Sequence, residues 1–352
     1  MKQKPLCAFF LLLLFLGPGG CAQQRRHPFM RAEAVKITKE HYRIFDSAGN
    51  PADMESILRA ARHCQVIFIG ESHGDPVAHF MEAEILQQAF WLCREKEEQA
   101  GKKNRPLRLS AEMFEQDTQP LLDEYLSGMI TEKHFLDDAR PWHNYPRDYR
   151  PLVEFAKEKA FPVIAANAPG RYVNRVSRLG PASLSALSPL AKSWLPPLPY
   201  ARASDAYREK FRKFWENNEK KRAEMRKKGH KMPQSHAPGS QTESHETAPD
   251  RELQFENLLA AQSLWDAGMA HAIAEELKKK PEALIVHVNG QFHSAEGLGI
   301  PEHLVRYRPG TKFLTVTVLP VTDFPDFPEE AKSAGDFIIL SNPALLRSVT
   351  GM

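Results

Sequence analysis

The sequence is poor in cysteine and lacks the short motifs of several large enzyme classes. It has 4 cysteines in 352 residues. It contains neither GxxxxGK followed by Ser or Thr nor GxGxxG after a strand, which argues against P-loop and dinucleotide-binding enzymes. HExxH and CxxC are missing as well. The signatures of zincin proteases and dithiol redox proteins are therefore absent.

An excess of charge of one sign is also missing. Lys and Arg total 47 and Asp and Glu total 44, which gives a net charge of +3. A chain that binds nucleic acid is normally far more basic, so no nucleic-acid partner is expected. Hydrophobic residues make up 42% of the chain, which is enough to bury the core of one large domain or two smaller ones.

An apolar run near the N-terminus predicts an export signal at residues 1–20. Two lysines precede an apolar stretch at about 6–16, which is too short to span a bilayer. Cys21 follows two glycines, as at a bacterial lipoprotein cleavage site. The alternative is ordinary signal-peptide cleavage that leaves Cys21 as a free thiol. Lipidation of Cys21 would make residues 21–50 a lipid anchor and a polar leader, which holds the protein on a membrane without spanning it.

Export has two further consequences. The residue after Cys21 is alanine rather than aspartate, which favours the outer membrane. The two cysteines that remain, Cys64 and Cys93, would lie in an oxidising compartment, where a pair can form a disulfide. The sequence leaves open whether these two do.

From residue 51 onward the apolar segments alternate between strand and helix patterns. Short apolar runs predict buried strands at 66–69, 107–113, 162–166, 283–288, 312–319 and 336–340. Helical spacing predicts helices at 54–62, 75–92, 121–126, 133–138, 149–159 and 253–280. This alternation predicts an α/β fold, with a mostly parallel sheet flanked by helices, built from residues 51–170 and 251–345.

Residues 171–250 interrupt this alternation and predict a helical insertion subdomain. Residues 208–231 carry eleven Lys and Arg against four Glu, a pattern typical of a solvated helix face. Contact with anionic lipid or with a haem propionate is the alternative interpretation. Residues 232–250 have almost no large apolar side chain and predict a disordered charged linker at the end of the insertion.

Polar side chains follow the predicted strands, and two strands end in the same G-x-x-H arrangement. Glu71 and His73 follow Gly70, and His293 follows Gly290 more than 200 residues later. Glu112 lies at the end of the second strand, with Glu115 just beyond it, and Asn167 ends the third. Ligands of open parallel sheets bind at the carboxyl ends of the strands, so we expect these side chains to share one crevice.

The paired motifs fit two kinds of site. Two imidazoles and two carboxylates, from Glu71, His73, Glu112 and His293, make a set that a divalent metal ion can bind. Such an ion would lower the pKa of a bound water and support hydrolysis. Without a metal, the same groups would form a hydrogen-bond network between histidines and carboxylates.

A second cluster, at residues 142–150, contains one Trp, one His, two Tyr and two Arg just before a predicted helix. Tyrosinate can be the axial ligand of ferric haem, and arginine pairs with propionates. CxxCH is missing from the chain, so covalent c-type haem is excluded. The alternatives are a helix-entry loop whose aromatic residues pack on the core, and a haem ligand from the insertion, where the candidates are Tyr172, Tyr200 and Tyr207.

Four segments, taken in order, resemble the ChaN family of haem-binding, iron-uptake lipoproteins. They are GESH at 70–73, AEMF at 111–114, the tyrosine stretch 145–149 running into AANAP at 165–169, and NGQFH at 289–293. The resemblance covers about residues 64–319. The family belongs to a superfamily with Tiki, TraB and erythromycin-esterase-like proteins.

The resemblance implies an α/β core with a small helical subdomain that binds haem, and it leaves open whether the haem lies between two subunits of a homodimer. It directs the search for haem contacts to Tyr145, Arg147, Tyr149 and Asn167. It also implies that Tiki-like metal-dependent proteases share the paired G-x-x-H motifs. The chain departs from the family by its charged insertion at 208–250. The sequence thus predicts a membrane-anchored haem-binding lipoprotein for haem uptake or iron acquisition, with a metal-dependent peptidase or esterase as the alternative.

Overall fold

The computed structural model of the protein describes residues 36–94, 104–227, 248–345 and 347. The expected export signal, Cys21 and residues 228–247 of the insertion lie outside the described residues. The fold belongs to the unit that begins at Ile37.

The centre of the fold is a seven-stranded sheet in the order β1-β7-β6-β2-β5-β3-β4. Strand β1 pairs antiparallel with β7, and every other pair is parallel. The strands are β1 Tyr42–Asp46, β2 Val66–Glu71, β3 Leu107–Glu115, β4 Val163–Asn167, β5 Leu284–Gly290, β6 Phe313–Pro320 and β7 Phe337–Ser341. The predicted α/β fold with a mostly parallel sheet is confirmed.

Helices cover both faces of this sheet. They are α1 Met54–Ala61, α2 Pro76–Leu92, α3 Gln119–Leu126, α4 Glu132–Asp138, α5 Tyr145–Asp148, α6 Arg150–Glu158, α7 Gly170–Leu179, α8 Pro189–Lys192, α9 Asp205–Lys227, α10 Ala248–Lys279 and α11 Ile300–Tyr307. In the part of the chain that the structure describes, none of them combines the length and apolar character needed to cross a membrane.

Strand β2 shows how the two faces divide. Successive strand residues point to opposite sides, so Ile67 and Ile69 pack in one core with helices α1, α2 and α6. Val66 and Phe68 pack in a second core with α10 and α11. All four side chains are fully buried, as expected for a central parallel strand covered on both faces.

Strand β1 lies in a segment for which the sequence predicted a polar leader. Tyr42–Asp46 is half-buried, and its residues pair antiparallel with β7, from Tyr42 opposite Ser341 to Asp46 opposite Phe337. The expectation was wrong for these five residues because an edge strand with one exposed face carries a weak apolar pattern. The α/β domain therefore begins before residue 51.

The described part of the insertion contains helices, joined by an irregular segment at residues 193–204. No strand occurs in residues 171–227 or 248–250, and α10 begins at Ala248, five positions before the predicted start. Helix α9 packs Tyr207 and Phe211 against Phe255 and Leu259 of α10. Its basic face pairs with α10, since Arg208 and Arg212 both lie about 3 Å from Glu252. These two arginines therefore pair with the neighbouring helix.

Cys64 and Cys93 are free thiols. The two segments that carry them are joined through Arg105 instead. Its backbone N–H donates to the Cys93 carbonyl at 3.2 Å, and its guanidinium donates to the Cys64 carbonyl. An arginine thus ties together the segments for which the sequence left a disulfide open.

Candidate functional site

The two G-x-x-H motifs converge at the carboxyl edge of the sheet. Strand β5 lies between β2 and β3, with Glu71 opposite Gly290 and Ala111 opposite Val288. Glu112 is the residue after Ala111, and its carboxylate accepts a hydrogen bond of 2.6 Å from the Gly290 N–H. The ends of the three strands therefore place both motifs and both glutamates around one point.

Gly290 makes this convergence possible because it has no side chain. A Cβ there would lie 2.8 Å from Nε2 of His73, closer than real Cβ contacts come. Gly70 similarly lies against the second motif, since its Cβ would meet the Gln291 Cα at 3.0 Å. Neither glycine has positive φ. Each motif glycine therefore gives space to the other motif.

The first half of the site is centred on Glu71, which is buried. Its Oε1 lies 2.7 Å from Nδ1 of His73 and accepts a hydrogen bond of 2.7 Å from the Tyr149 hydroxyl. The His73 imidazole packs edge-on against Trp142, with 4.9 Å between the ring centroids. Its side chain keeps 25% of its exposure, so His73 is the member of this half that reaches solvent.

The second half contains Glu112, His293 and Asp266. His293 Nδ1 lies 2.6 Å from Oδ1 of Asp266, and its Nε2 lies 3.6 Å from Oε1 of Glu112. Sequence reasoning missed Asp266, which belongs to the buried face of α10. An aspartate on the apolar face of a long helix was the signal that could have revealed it, because buried carboxylates need polar partners.

A second group of buried residues also escaped sequence reasoning. His79 Nδ1 lies 3.1 Å from Oε2 of Glu71 and 3.2 Å from Oε2 of Glu82, one helical turn along α2. His79 Nε2 lies 3.4 Å from Oδ2 of Asp148, which accepts a hydrogen bond of 2.8 Å from Asn144. The sequence feature that could have revealed this group is a His and a Glu at helical spacing in the helix that directly follows the first motif.

Burial and mutual charge shift the pKa values of these groups. Burial raises the pKa of Glu71 to about 7 and that of Glu82 to about 8, and each also feels a neighbouring acidic group. Burial opposes protonation of His73, but its hydrogen bond to Glu71 and the surrounding carboxylates outweigh that effect and raise its pKa to about 9. Glu112 and Asp266 likewise raise the pKa of His293 against the effect of burial. At neutral pH the His73 imidazole is therefore protonated, and the neighbouring Glu71 carboxyl group titrates in this pH range.

The four predicted metal ligands form two pairs rather than one ligand shell. Glu71 contacts His73, and Glu112 approaches His293. Among the described residues, the group whose donor atoms all lie within 4.8 Å of one another is Glu71, His79 and Glu82. Only Glu71 is common to this group and the predicted set.

The tyrosine cluster lies inside the core. Tyr145 is fully buried against Phe114 and Phe135, and its hydroxyl has no hydrogen-bond partner. Tyr149 is 1% exposed, and its hydroxyl is bound to Glu71. Arg147 is exposed and lies 3.4 Å from Asp148. The preference for Tyr145 or Tyr149 as a haem ligand does not fit this packing, because helices α5 and α6 turn both rings inward; the core-packing alternative describes them.

The last two strand-end residues lie apart from the motif pair. Glu115 accepts a hydrogen bond from the Gly170 N–H and pairs with Arg140 at 2.9 Å. Asn167 is buried at the end of β4, and its side-chain oxygen has no hydrogen-bond partner. It does not cap helix α7, whose N-cap is Pro169. No contact joins either residue to the tyrosine cluster among the described hydrogen bonds.

A large cavity lies between the insertion and α10. Its volume is about 1220 Å³. The apolar part of its lining includes Leu184, Leu195, Pro196, Pro199 and Leu259. Small-molecule sites usually occupy about 300–1,000 Å³ and are mostly apolar with a few polar groups, so this space can accept a large flat ligand.

The polar groups of this cavity include cations and two metal-binding side chains. Lys192, Arg202 and Arg208 belong to its lining, as do Tyr200 and His271. The Tyr200 hydroxyl donates to the Ala260 carbonyl at 2.7 Å, and burial raises its pKa. Burial lowers the pKa of His271, so its imidazole is neutral at physiological pH and can bind a metal.

The fold and the strand-end motifs together define a class of α/β proteins with paired G-x-x-H strands. Residues 57–304 match the family model described as haem-binding uptake, Tiki superfamily, ChaN. The chain belongs to this family. No curated protein sequence matches it.

One solved structure agrees with this assignment at the level of the fold, and two others show weaker similarity. ChaN of Campylobacter jejuni, solved with cofacial haem, is similar with a TM-score of 0.60 and 13% identity, covering 86% of this chain and 98% of that one. A Bacillus cereus protein gives a TM-score of 0.41 and 11% identity over 86% and 95%. An open form of the erythromycin esterase EreC gives 0.39 and 12% over 88% and 85%.

Proposed function

We propose that this protein binds haem in the cavity between the insertion and α10. The observation that carries the proposal is the cavity itself, because it combines apolar walls with cationic and iron-binding side chains in a chain of the ChaN family. The haem bound by the Campylobacter jejuni relative supports it.

The residues present fit haem. The apolar walls would cover the macrocycle, and Arg202 and Lys192 would face the propionates with charge-assisted hydrogen bonds. His271 is a neutral imidazole donor for iron, and Tyr200 is a phenol donor that would first release the Ala260 carbonyl. Bound haem would supply an iron centre whose properties depend on these donors.

A hemin titration of the purified protein tests the proposal. We expect a shifted Soret band and saturation at one haem per chain. The Tyr145→Phe and Tyr149→Phe variants should bind hemin as the parent does, since both rings are buried. Absence of a saturable spectral change would refute haem binding.

We further propose that the chain is a lipoprotein anchored through Cys21 at the outer membrane, where it serves haem uptake or iron acquisition. Support comes from the short apolar run at 6–16 and the small residues before Cys21. In cofacial binding two haems face each other, so a second copy of the chain would supply the second haem and a homodimer would form. Light scattering with and without hemin measures the molar mass of the protein in solution. A molar mass that stays at the value of the monomer at haem saturation contradicts the homodimer.

The second candidate function is a metal-dependent hydrolase of the peptidase or esterase type. It is favoured by the pairing of His293 with Asp266 at 2.6 Å opposite the partly exposed His73. A carboxylate that orients an imidazole is an arrangement in which the imidazole can act as a general base. Peptide and ester hydrolysis by the metal-loaded protein, compared with His73→Ala and His293→Ala, tests it. Turnover that both variants retain, or no turnover at all, rejects this candidate.

A further inference from the structure

Helix α2 presents His79 and Glu82 to the end of strand β2, where Glu71 lies. The three residues each offer one donor atom within 4.8 Å of the others, and all are buried. They come from two elements that the fold holds rigidly, a central strand and a helix that packs on it. Donors of this kind, one nitrogen and two carboxylate oxygens, are those of Zn²⁺, Mn²⁺ and Fe²⁺ sites rather than of Mg²⁺ or Ca²⁺ sites.

A buried oxygen atom without a partner points to a missing cation. Glu82 Oε1 is buried and accepts no hydrogen bond, and Glu71 Oε2 is contacted by His79 Nδ1 at 3.1 Å, while Glu71 Oε1 is used by His73 and Tyr149. Metal ligands bind in their deprotonated form, so a divalent ion would take the place of the protons that burial favours on these two carboxyl groups.

The surroundings of His79 are those of a metal ligand. Its Nδ1 faces the two glutamates, and its Nε2 faces Asp148 at 3.4 Å. A ligating histidine usually donates its other ring N–H to a carboxylate, which fixes the tautomer and the ring orientation. Asp148 is itself held by the Asn144 amide at 2.8 Å. This chain of contacts orients Nδ1 toward Glu71 and Glu82.

We propose that Glu71, His79 and Glu82 bind one divalent transition-metal ion in the interior of the protein. The site is distinct from the haem cavity, and it shares only Glu71 with the proposed hydrolase set. Because its three ligands are buried, the ion would tie the end of β2 to α2 as a structural ion. The proposal goes beyond haem binding and does not rest on it.

Cobalt binding to the full-length protein tests the proposal. The protein is freed of metal with a chelator and titrated with Co²⁺, and then competed with Zn²⁺ and Mn²⁺. We expect one Co²⁺ per chain, visible ligand-field absorption and a raised melting temperature. Glu82→Gln, which keeps the shape of the side chain, should weaken Co²⁺ binding by more than about 100-fold, since even outer contacts of a metal site contribute 10–100-fold.

Two further variants make the result specific. Glu84→Gln is the same substitution on the same helix, outside the ligand group, and should keep Co²⁺ binding. His293→Gln should also keep it, whereas an ion bound by the paired motifs would be lost. The proposal is overturned if the parent binds no Co²⁺, Zn²⁺ or Mn²⁺, if Glu82→Gln binds as the parent does, or if His293→Gln abolishes binding. Metal loss in Glu82→Gln with retention in the other two supports it.

Discussion

At the scale of single residues, the motif glycines matter because of the side chain that they lack. His73 occupies the space beside Gly290, and Gln291 occupies the space beside Gly70. The sequence predicted that both motifs meet, since parallel strands end at one edge. Asp266 escaped prediction because its partner His293 lies on another element, and His79 and Glu82 escaped it because their contact with Glu71 depends on how α2 packs against β2. The inward orientation of Tyr145 and Tyr149 was not predictable either, because spacing does not give the rotation of a short helix.

Gly290→Ala tests the role of the missing side chain. The new methyl group would meet His73 Nε2 at 2.8 Å, so we expect the free energy of unfolding to fall by about 1–3 kcal/mol, as in other overpacked cores. Urea denaturation measures it. Adding His73→Ala removes the clashing ring. The double variant should therefore lose less free energy of unfolding than the sum of the losses in the two single variants. Additive losses would show that the two residues do not compete for space.

His287 provides a pH test in the core. Burial and the nearby His293 charge lower its pKa to about 3, while an unfolded histidine titrates near 6.5. Between these two pH values the unfolded state thus binds one more proton than the folded state. The contribution of neutral His287 to the free energy of unfolding is therefore fully present above pH 6.5 and is lost as the pH falls. Relative to His287→Gln, the parent should lose about 1.4 kcal/mol of unfolding free energy per pH unit between about pH 6 and 4. Parallel stability curves for the two proteins would contradict this.

At the scale of elements, the short apolar runs predicted six of the seven strands. These six strands are central or buried on both faces, where the apolar signal is continuous. Strand β1 was missed because it is an edge strand with mixed polarity. Helix α2 was predicted from its helical spacing, and in the structure Asp75 caps it by accepting a hydrogen bond of 2.9 Å from the Val77 N–H.

The two aspartate caps of the first helices make a matched comparison. Asp53 caps α1 at the surface through Ser56, while buried Asp75 caps α2 and also accepts a hydrogen bond from the Ser341 hydroxyl of β7. Asp53→Ala should cost about 1 kcal/mol of unfolding free energy. Asp75→Ala should cost about 1–3 kcal/mol more, because it leaves a buried hydroxyl without a partner. Equal losses in thermal or urea unfolding would show that the Ser341 contact contributes nothing.

At the scale of the whole molecule, the fold separates two kinds of site. The sheet edge holds buried histidines and carboxylates, and the insertion forms a large apolar cavity on the far side of α10. The family motifs predicted the first site and the class of protein. They could not reveal the cavity, because its walls come from proline and leucine residues of an insertion that carries no motif.

The proposed lipid anchor at Cys21 is tested by Cys21→Ala. With a lipid at Cys21, the parent protein should incorporate labelled palmitate and sediment with membranes, since acyl chains supply the membrane affinity. The variant should lose the label and appear in the soluble fraction. Label retained by Cys21→Ala, or a parent protein that never acquires it, would contradict a lipoprotein.

The location of the haem is the central claim, and one set of hemin spectra tests it most directly. The parent, His271→Ala, Tyr200→Phe and Tyr149→Phe are titrated side by side, with Tyr172→Phe as a control for a tyrosine outside the cavity lining. We predict that at least one of the two cavity variants shifts the ferric spectrum and weakens hemin binding by at least about tenfold. Tyr149→Phe and Tyr172→Phe should leave both unchanged. A spectrum altered by Tyr149→Phe and untouched by both cavity variants would contradict the account.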